Sequence, residues 1–278
     1  MRDPAAMRAR AAAVRAAGGR IAFVPTMGFL HEGHLSLLRE GRRRGELLVL
    51  SIFVNPLQFG PAEDLARYPR DEQGDLDKAR SVGCDVAFCP SVEAMYPPGF
   101  QTRVEVPGLA AGLCGQVRPG HFAGVATVVL KLCHIVQPHV LLLGEKDYQQ
   151  LQIVRRMVAD LDLDIEVVGC PLVREPDGLA LSSRNAYLSP QERQQALALS
   201  RGLRAAEQRY RAGERRAEEL LAAARQELIG APGVVLQYLE LRDAATLEPV
   251  AGELDRAAVL AVAALVGQTR LIDNVILR

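Results

Sequence analysis

The chain has 278 residues, 49% apolar and 24% charged, the proportions of an ordinary folded protein with one large domain or two modest ones. These values exclude a disordered chain, a collagen and a coiled coil. Lysine plus arginine and aspartate plus glutamate both number 33, so the formal net charge is +0, which argues against a nucleic-acid partner but allows a local site for a small anion.

Residues 1–20 are rich in alanine and arginine and have no continuous apolar stretch, so they read as a first surface helix rather than a secretory signal. A transit peptide would want serines that this segment lacks. The longest apolar run lies around 257–267, short of the roughly 18 residues a spanning helix needs, so no membrane association is expected. The five cysteines, Cys84, Cys89, Cys114, Cys133 and Cys170, are odd in number and show no C-x-x-C pair. They read as free thiols of a cytoplasmic protein, not as a disulfide framework or a zinc ribbon.

Short aliphatic runs then alternate with helical patterns. Strands are predicted at 21–24, 47–54, 85–88, 140–143 and 165–168, and helices at 33–45, 71–82, 124–135 and 147–160. Such alternation predicts a parallel sheet covered on both faces, a doubly wound α/β domain. The 20 residues 96–115 hold several Pro and Gly and read as a long loop or lid over a site. After about Cys170 the rhythm changes. Residues 190–229 read as helix, broken at Gly213, followed by strand-like runs at 234–241, 257–266 and 271–277. This predicts a smaller α+β domain, with the boundary between 1–172 and 173–278.

Several segments carry candidate chemistry. PTMGFLHEGH at 25–34 follows a strand and opens a helix, whose free N–H groups and positive dipole end suit phosphate. Gly28 and Gly33 permit close approach of a ligand to the backbone. His31 and His34 share a helical face and could donate to a phosphate chain or protonate a leaving oxygen. The spacing is not that of a zinc protease, and a helix start with two surface histidines is the plainer alternative. GEKDYQQ at 144–150 also lies at a strand end. There Lys146 could neutralise phosphate charge, and Asp147 could cap the helix or meet ribose hydroxyls. LSSRN at 181–185 offers two hydroxyls and a guanidinium for an anionic oxygen, or is an ordinary polar loop. SIFVNPLQFG at 51–60 runs a buried strand into a turn, where Asn55 and Gln58 could bind a small polar ligand. RPGHF at 118–122 is a further polar cluster, and Arg42–Arg44 read as a solvated helix end.

Together these segments, with YPR at 68–70 and RPGHFAGVATVV at 118–129, closely resemble the pantoate–β-alanine ligase (pantothenate synthetase) family. They run in that family's order and cover the first two-thirds of the chain. The remaining third carries no specific motif. The family belongs to the nucleotidyltransferase superfamily that includes class I aminoacyl-tRNA synthetases. His31-Glu32-Gly33-His34 is similar to its HIGH element, and Leu181–Arg184 to its KMSKS-type loop. Phe29 stands where a small residue is commoner, and Leu181 where methionine is often seen.

The resemblance implies a Rossmann-like, HIGH-type fold and a two-step reaction. The carboxylate of (R)-pantoate attacks the α-phosphate of ATP, giving pantoyl adenylate and pyrophosphate. The amine of β-alanine then attacks the acyl carbon, releasing AMP and pantothenate. It further implies that His34 donates a proton and that His31, Lys146, Ser182, Ser183 and Arg184 stabilise phosphate charge. Met27, Gly28, Phe29, Leu30, His31, Glu32, Gly33 and His34 would line the ATP site. So would Gly144, Glu145, Lys146, Asp147, Val173 and the 181–184 loop. Gln58 and Gln150 would bind pantoate, with Pro25, Met27 and Asn55 nearby, and the Gln58 position would also serve β-alanine. Mg2+ would enter with ATP, held by phosphates and water, with no evident protein ligand, and the enzyme would be a cytoplasmic homodimer. Three alternatives are a nucleotidyltransferase acting on a phosphorylated acceptor, a non-catalytic tRNA-binding module and an inactive relative. The neutral glutamines, the zero net charge and the intact histidines, Lys146 and Arg184 speak against them in turn.

Overall fold

Strands buried on both faces need no polar alternation, and the aliphatic runs of the first half pair accordingly. The computed structural model describes residues 1–61 and 63–278. Its larger sheet contains β1 (Ile21–Thr26), β2 (Leu47–Ile52), β3 (Val86–Phe88), β4 (Val140–Gly144) and β5 (Glu166–Cys170), in the order β3-β2-β1-β4-β5 with every pair parallel. Helices α1 (Pro4–Ala16), α2 (Glu32–Arg44), α3 (Glu72–Ser81), α4 (His121–Val136) and α5 (Tyr148–Asp160) accompany it.

The alternation of side chains along each strand divides the core into two layers. Ile21, Phe23, Val49, Leu141 and Leu143 pack with Met7 and Ala11 of α1, Val125 and Val129 of α4, and Leu151 and Val154 of α5. Ala22, Val24, Leu48, Leu50 and Leu142 face the other way, onto Leu37 and Leu38 of α2 and Ala79 of α3. Each large aliphatic side chain buried there contributes about 1.5–3 kcal/mol.

The described chain divides into two units. The first comprises Met1–Ala110, Arg118–Glu145 and Gln150–Pro171, and the second Ala111–Val117, Lys146–Gln149 and Leu172–Arg278. The second unit contains α6 (Pro190–Arg211), α7 (Ala217–Ile229) and the antiparallel sheet β6 (Val234–Asp243), β7 (Ala258–Val266), β8 (Thr269–Leu277), ordered β6-β7-β8. A Ser189–Glu192 capping box and Pro190 start α6, and Leu199, Leu203, Leu220 and Leu228 of its two helices pack on Leu241, Leu260 and Val262 of the sheet.

The predicted elements are present with shifted ends, and the differences have local causes. The helix expected at 124–135 starts earlier, at His121, because Gly120 takes a left-handed φ of 80° as its N-cap. The strand expected at 47–54 stops at Ile52, short of the turn at Pro56–Gln58. A 3-10 turn, Glu145–Asp147, precedes α5. The first helix is not wholly superficial, since Met7 and Ala11 are completely buried. The 96–115 stretch is anchored rather than free. Tyr96, Val104 and Val106 pack on the first core, and the Val104 N–H donates to Thr127 Oγ1 at 3.0 Å. Residues 111–117 and 146–149, expected in the first domain, group with the second unit.

Candidate active site

The order of the large sheet reverses between β1 and β4, and ligands of open α/β sheets bind beyond the carboxyl ends of strands at such a point. Residues 27–34 leave β1 there. Gly144 and Glu145 leave β4 on the neighbouring strand.

The loop after β1 is sharply bent. Gly28 has φ of 84° and Phe29 of 51°, so a bulky L-residue sits in a region that costs it about 1–2 kcal/mol. A carboxylate holds it in place. Asp75 of α3, 1% exposed, accepts from the Phe29 N–H at 2.7 Å and the Leu30 N–H at 2.6 Å. Lys78, one turn further along α3, donates to the Leu30 carbonyl at 3.0 Å. The Thr26 hydroxyl donates to the Ser51 carbonyl and accepts from the Gly28 N–H. Burial pushes the Asp75 carboxyl above its ordinary value, against the opposing pull of the two amides and Lys78.

Next along the chain, His31 is the N-cap of α2 and its ring lies against that of His34, centroids 4.1 Å apart. The His31 N–H donates to His34 Nδ1 at 3.3 Å. That nitrogen is therefore the acceptor of a neutral imidazole, and the proton of His34 sits on Nε2. Glu32, in the first turn, pairs with Arg39. At the far end of α2, Arg42 donates to the Gly45 and Glu46 carbonyls, the role expected of basic residues at a helix end.

The turn after β2 presents the amide side chains. Asn55 is 1% exposed and its hydrogen-bonding capacity is full. Its Oδ1 accepts from the Leu57 N–H and the Tyr96 hydroxyl, and its Nδ2 donates to Gln58 Oε1 at 3.0 Å and the Gly124 carbonyl at 3.1 Å. Gln58 is thereby oriented with its Nε2 toward Met27, 3.2 Å from the sulfur. Its backbone is held as well. The Gln58 carbonyl accepts from His121 Nδ1 at 2.8 Å and from Arg118. Arg118 meets His121 Nε2 at 2.9 Å and forms a two-pronged pair with Glu63. Burial opposes ionisation of Glu63, but Arg118 outweighs it and holds the carboxyl below the usual range. Gly124 lets α4 seat against this turn, since a Cβ there would lie 2.2 Å from the Leu57 carbonyl oxygen. Pro25 sits in β1 opposite Ser51, and Gln150 is half-buried on α5.

The second unit holds the other candidates. Lys146 and Asp147 close the 3-10 turn before α5, with the ammonium 3.8 Å from the carboxylate. Val173 accepts from the Leu181 N–H at 3.0 Å, and Arg174 bridges to Ala180. This small hairpin leads into Ser182, whose hydroxyl accepts from the Arg184 N–H, and into the 3-10 turn Ser183–Tyr187. Asn185 ties that turn back through Nδ2 to Glu175 and the Ala180 carbonyl.

Sequence reading missed Asp75, Lys78 and Tyr96, which act on residues far away in the chain. It singled out Arg118 and His121 as a polar cluster in a family-matching segment, but not their hold on the Gln58 carbonyl.

A bent loop and a helix start at the switch point of an open parallel sheet are the features of a nucleotide-using α/β enzyme. A family model described as Pantoate-beta-alanine ligase matches residues 1–276. The chain is 60% identical over 265 residues to a pantothenate synthetase of Myxococcus xanthus (strain DK1622), covering 95% of this chain and 90% of that one. Its fold is similar to the crystal structure of pantothenate synthetase from Thermus thermophilus, with TM-score 0.94, 47% identity and coverage of 99% and 98%. It is also similar to a pantoate-beta-alanine ligase from Francisella tularensis complexed with beta-gamma ATP and beta-alanine, with TM-score 0.81, 34% identity and coverage of 99% and 96%.

The chain belongs to the pantoate–β-alanine ligase family. The enzyme condenses (R)-pantoate with β-alanine at the expense of ATP, through a pantoyl adenylate, and releases AMP and pyrophosphate.

Proposed function

We propose that residues 1–172 bind nucleotide and pantoate and that residues 173–278 supply the 181–184 loop, with each site residue in the role that follows. The observation that carries this reading is the hydrogen bond between Gln58 Nε2 and Met27 Sδ. It joins the amide assigned to pantoate to the first residue of the loop assigned to ATP. A carboxylate held by Gln58 and Gln150 would then lie beside the phosphate chain.

In the first step the pantoate carboxylate attacks the α-phosphorus and pyrophosphate leaves. Charge on the phosphoryl oxygens must be met by fixed donors and cations. Residues 27–34 supply amides and imidazoles, and His34 donates from Nε2 to an oxygen of the phosphate chain. Lys146, Ser182, Ser183 and Arg184 supply the remaining charge and hydrogen bonds. Gly144, Glu145, Asp147, Val173 and Leu181 complete the nucleotide site, with Asp147 at the ribose. In the second step the β-alanine amine attacks the acyl carbon of the mixed anhydride and AMP leaves. No covalent enzyme intermediate is required, so catalysis rests on positioning and exclusion of water.

Asn55 acts through Gln58, because all four of its hydrogen bonds are internal. Mg2+ would enter with ATP as substrate and be held chiefly through its phosphates. The donor set of amides, hydroxyls, imidazoles and cations suits phosphate rather than a metal. Four buried and one half-buried free thiols support a cytoplasmic setting, and the family resemblance supports a homodimer. Among the described residues no helix is long and apolar enough to cross a membrane.

The test is AMP release from MgATP and (R)-pantoate with and without β-alanine, in the wild type and in His34→Ala, Lys146→Ala and Gln58→Ala. Steady AMP release that requires β-alanine, lost in all three variants, is expected. Wild-type turnover in all three would overturn the assignment of roles.

A further inference from the structure

The carboxy-terminal third carries no motif, yet its last strand reaches two of the segments assigned to phosphate. Asn274, 6% exposed in the middle of β8, donates from Nδ2 to the Lys146 carbonyl at 2.9 Å. The preceding residue, Asp273, is 4% exposed and grips Arg174 with both oxygens, at 2.7 and 3.0 Å. Arg174 also donates to the Gly178 carbonyl, which closes the turn of the hairpin that ends at Leu181. The Asn274 N–H donates to Asp273 Oδ1 at 2.7 Å, so the two side chains are locked to one another. β8 also packs on the 3-10 turn Ser183–Tyr187.

We propose that Asp273 and Asn274 are a positioning pair for adenylate formation: Asn274 sets the backbone of Lys146, and Asp273, through Arg174, sets the hairpin that delivers residues 181–184. The pair touches neither reacting atoms nor, by this account, the nucleotide. It fixes two cationic elements against one rigid strand, so that Lys146 and Arg184 keep a constant spacing as charge develops on the phosphates. Preorganised charge of this kind needs no rearrangement at the moment of reaction. Burial raises the Asp273 carboxyl above its ordinary value, against the opposing pull of Arg174, the Asn274 N–H and Lys146. The proposal rests on the role given above to Lys146.

The experiment follows steady-state pyrophosphate release by the full-length enzyme with MgATP, (R)-pantoate and saturating β-alanine in Asn274→Ala, Lys146→Ala and the double variant. Asn274→Ala should lower kcat roughly 10- to 100-fold, as loss of a residue that orients a catalytic group does, and should leave the KM for pantoate unchanged. In the Lys146→Ala background the same substitution should cost little more, because its effect passes through Lys146. Asn274→Asp, which keeps the volume without the donor, should behave alike and serves if the alanine variant does not fold. Asp273→Asn should also lose kcat. A wild-type kcat in Asn274→Ala, or a full multiplicative loss on top of Lys146→Ala, would overturn the proposal. A wild-type rate in Lys146→Ala alone would bring down the role of Lys146, and the proposal with it. That failure is distinct from a neutral Asn274→Ala beside a crippled Lys146→Ala.

Discussion

The carboxylate of Asp75 closes on the backbone of Phe29 from 46 residues away and accepts the N–H groups of Phe29 and Leu30 at 2.7 and 2.6 Å. Two consecutive left-handed residues, Gly28 and Phe29, depend on that contact. Removing the carboxylate in Asp75→Ala leaves two amides without their acceptor, at about 1–3 kcal/mol each if they stay dry. The loop would relax, and kcat/KM for ATP should fall roughly 10-fold or more. Gly28→Ala should act in the same direction, since its Cβ would lie 2.9 Å from Asp75 Oδ2 at a φ of 84°. Steady-state pyrophosphate release over a range of ATP measures both. An unchanged KM and kcat for ATP in Asp75→Ala would show that the brace is irrelevant to the nucleotide.

The proposed roles of His34 and Lys146 both fall in adenylate formation. His34 carries its proton on Nε2 because the His31 N–H fills Nδ1. Lys146 offers a full charge on a side chain only 20% exposed. Either alanine variant should slow adenylate formation by roughly 100-fold or more, as removal of a transition-state stabiliser does. The measurement is single-turnover pyrophosphate release with saturating pantoate, so that β-alanine capture does not enter. Near-normal bursts in both variants would mean that other groups carry the charge.

Periodicity and punctuation made the strands legible. β1, β2 and β4 are continuous apolar runs, and Gly213 does separate α6 from α7. The segments at 25–34, 144–150 and 181–185 could be found because each keeps its donors together in the chain. What stayed hidden is the support. His121 reaches the Gln58 carbonyl from 63 residues away, and Asn274 reaches Lys146 from 128. Neither distance leaves a trace in local spacing. Asp75 and Lys78 lie in a helix predicted at 71–82, and only the fold brings them to the loop after β1. Asn55 was visible as a polar residue in a turn, but that its four hydrogen bonds are all internal depends on Tyr96 and Gly124.

Gln58 should separate substrate from nucleotide. Truncation to alanine removes the amide that faces Met27 while leaving residues 27–34 and their Asp75 brace in place. The KM for pantoate should rise, with ATP affinity spared. Gly124→Ala approaches the same site through the backbone. Its Cβ would lie 2.2 Å from the Leu57 oxygen and 2.7 Å from the Gln58 nitrogen, neither of which is a flexible side chain. It should cost about 1–3 kcal/mol or more of stability and shift pantoate KM in the same sense. Paired pantoate and ATP titrations, with thermal unfolding alongside, test both. Loss of ATP affinity alone in Gln58→Ala would contradict the placement of pantoate.

Acid stability offers a probe of the second unit. Asp243 ends β6, and its Oδ1 accepts from the N–H groups of Ala245 and Thr246 and from the Thr246 hydroxyl, while Oδ2 faces Arg256. Burial would raise its pKa, but the hydrogen bonds from Thr246 and Ala245 and the Arg256 charge outweigh it, leaving the carboxyl below its ordinary 3.8. The folded pKa is thus depressed. The corresponding stability is fully present above 3.8 and is lost as pH falls through the folded value. Asp243→Asn should therefore destabilise the enzyme at neutral pH, by about 1–3 kcal/mol for a charged acceptor of this kind, and progressively less as the pH falls below 3.8. The Tyr148 hydroxyl donates to the Ala244 carbonyl at 2.8 Å, so loosening this turn should also disturb the residues just after Lys146. Urea unfolding of wild type and variant across that pH range is the measurement. A destabilisation that does not diminish at any pH below 3.8 would mean that the carboxylate charge at Asp243 contributes nothing to the turn.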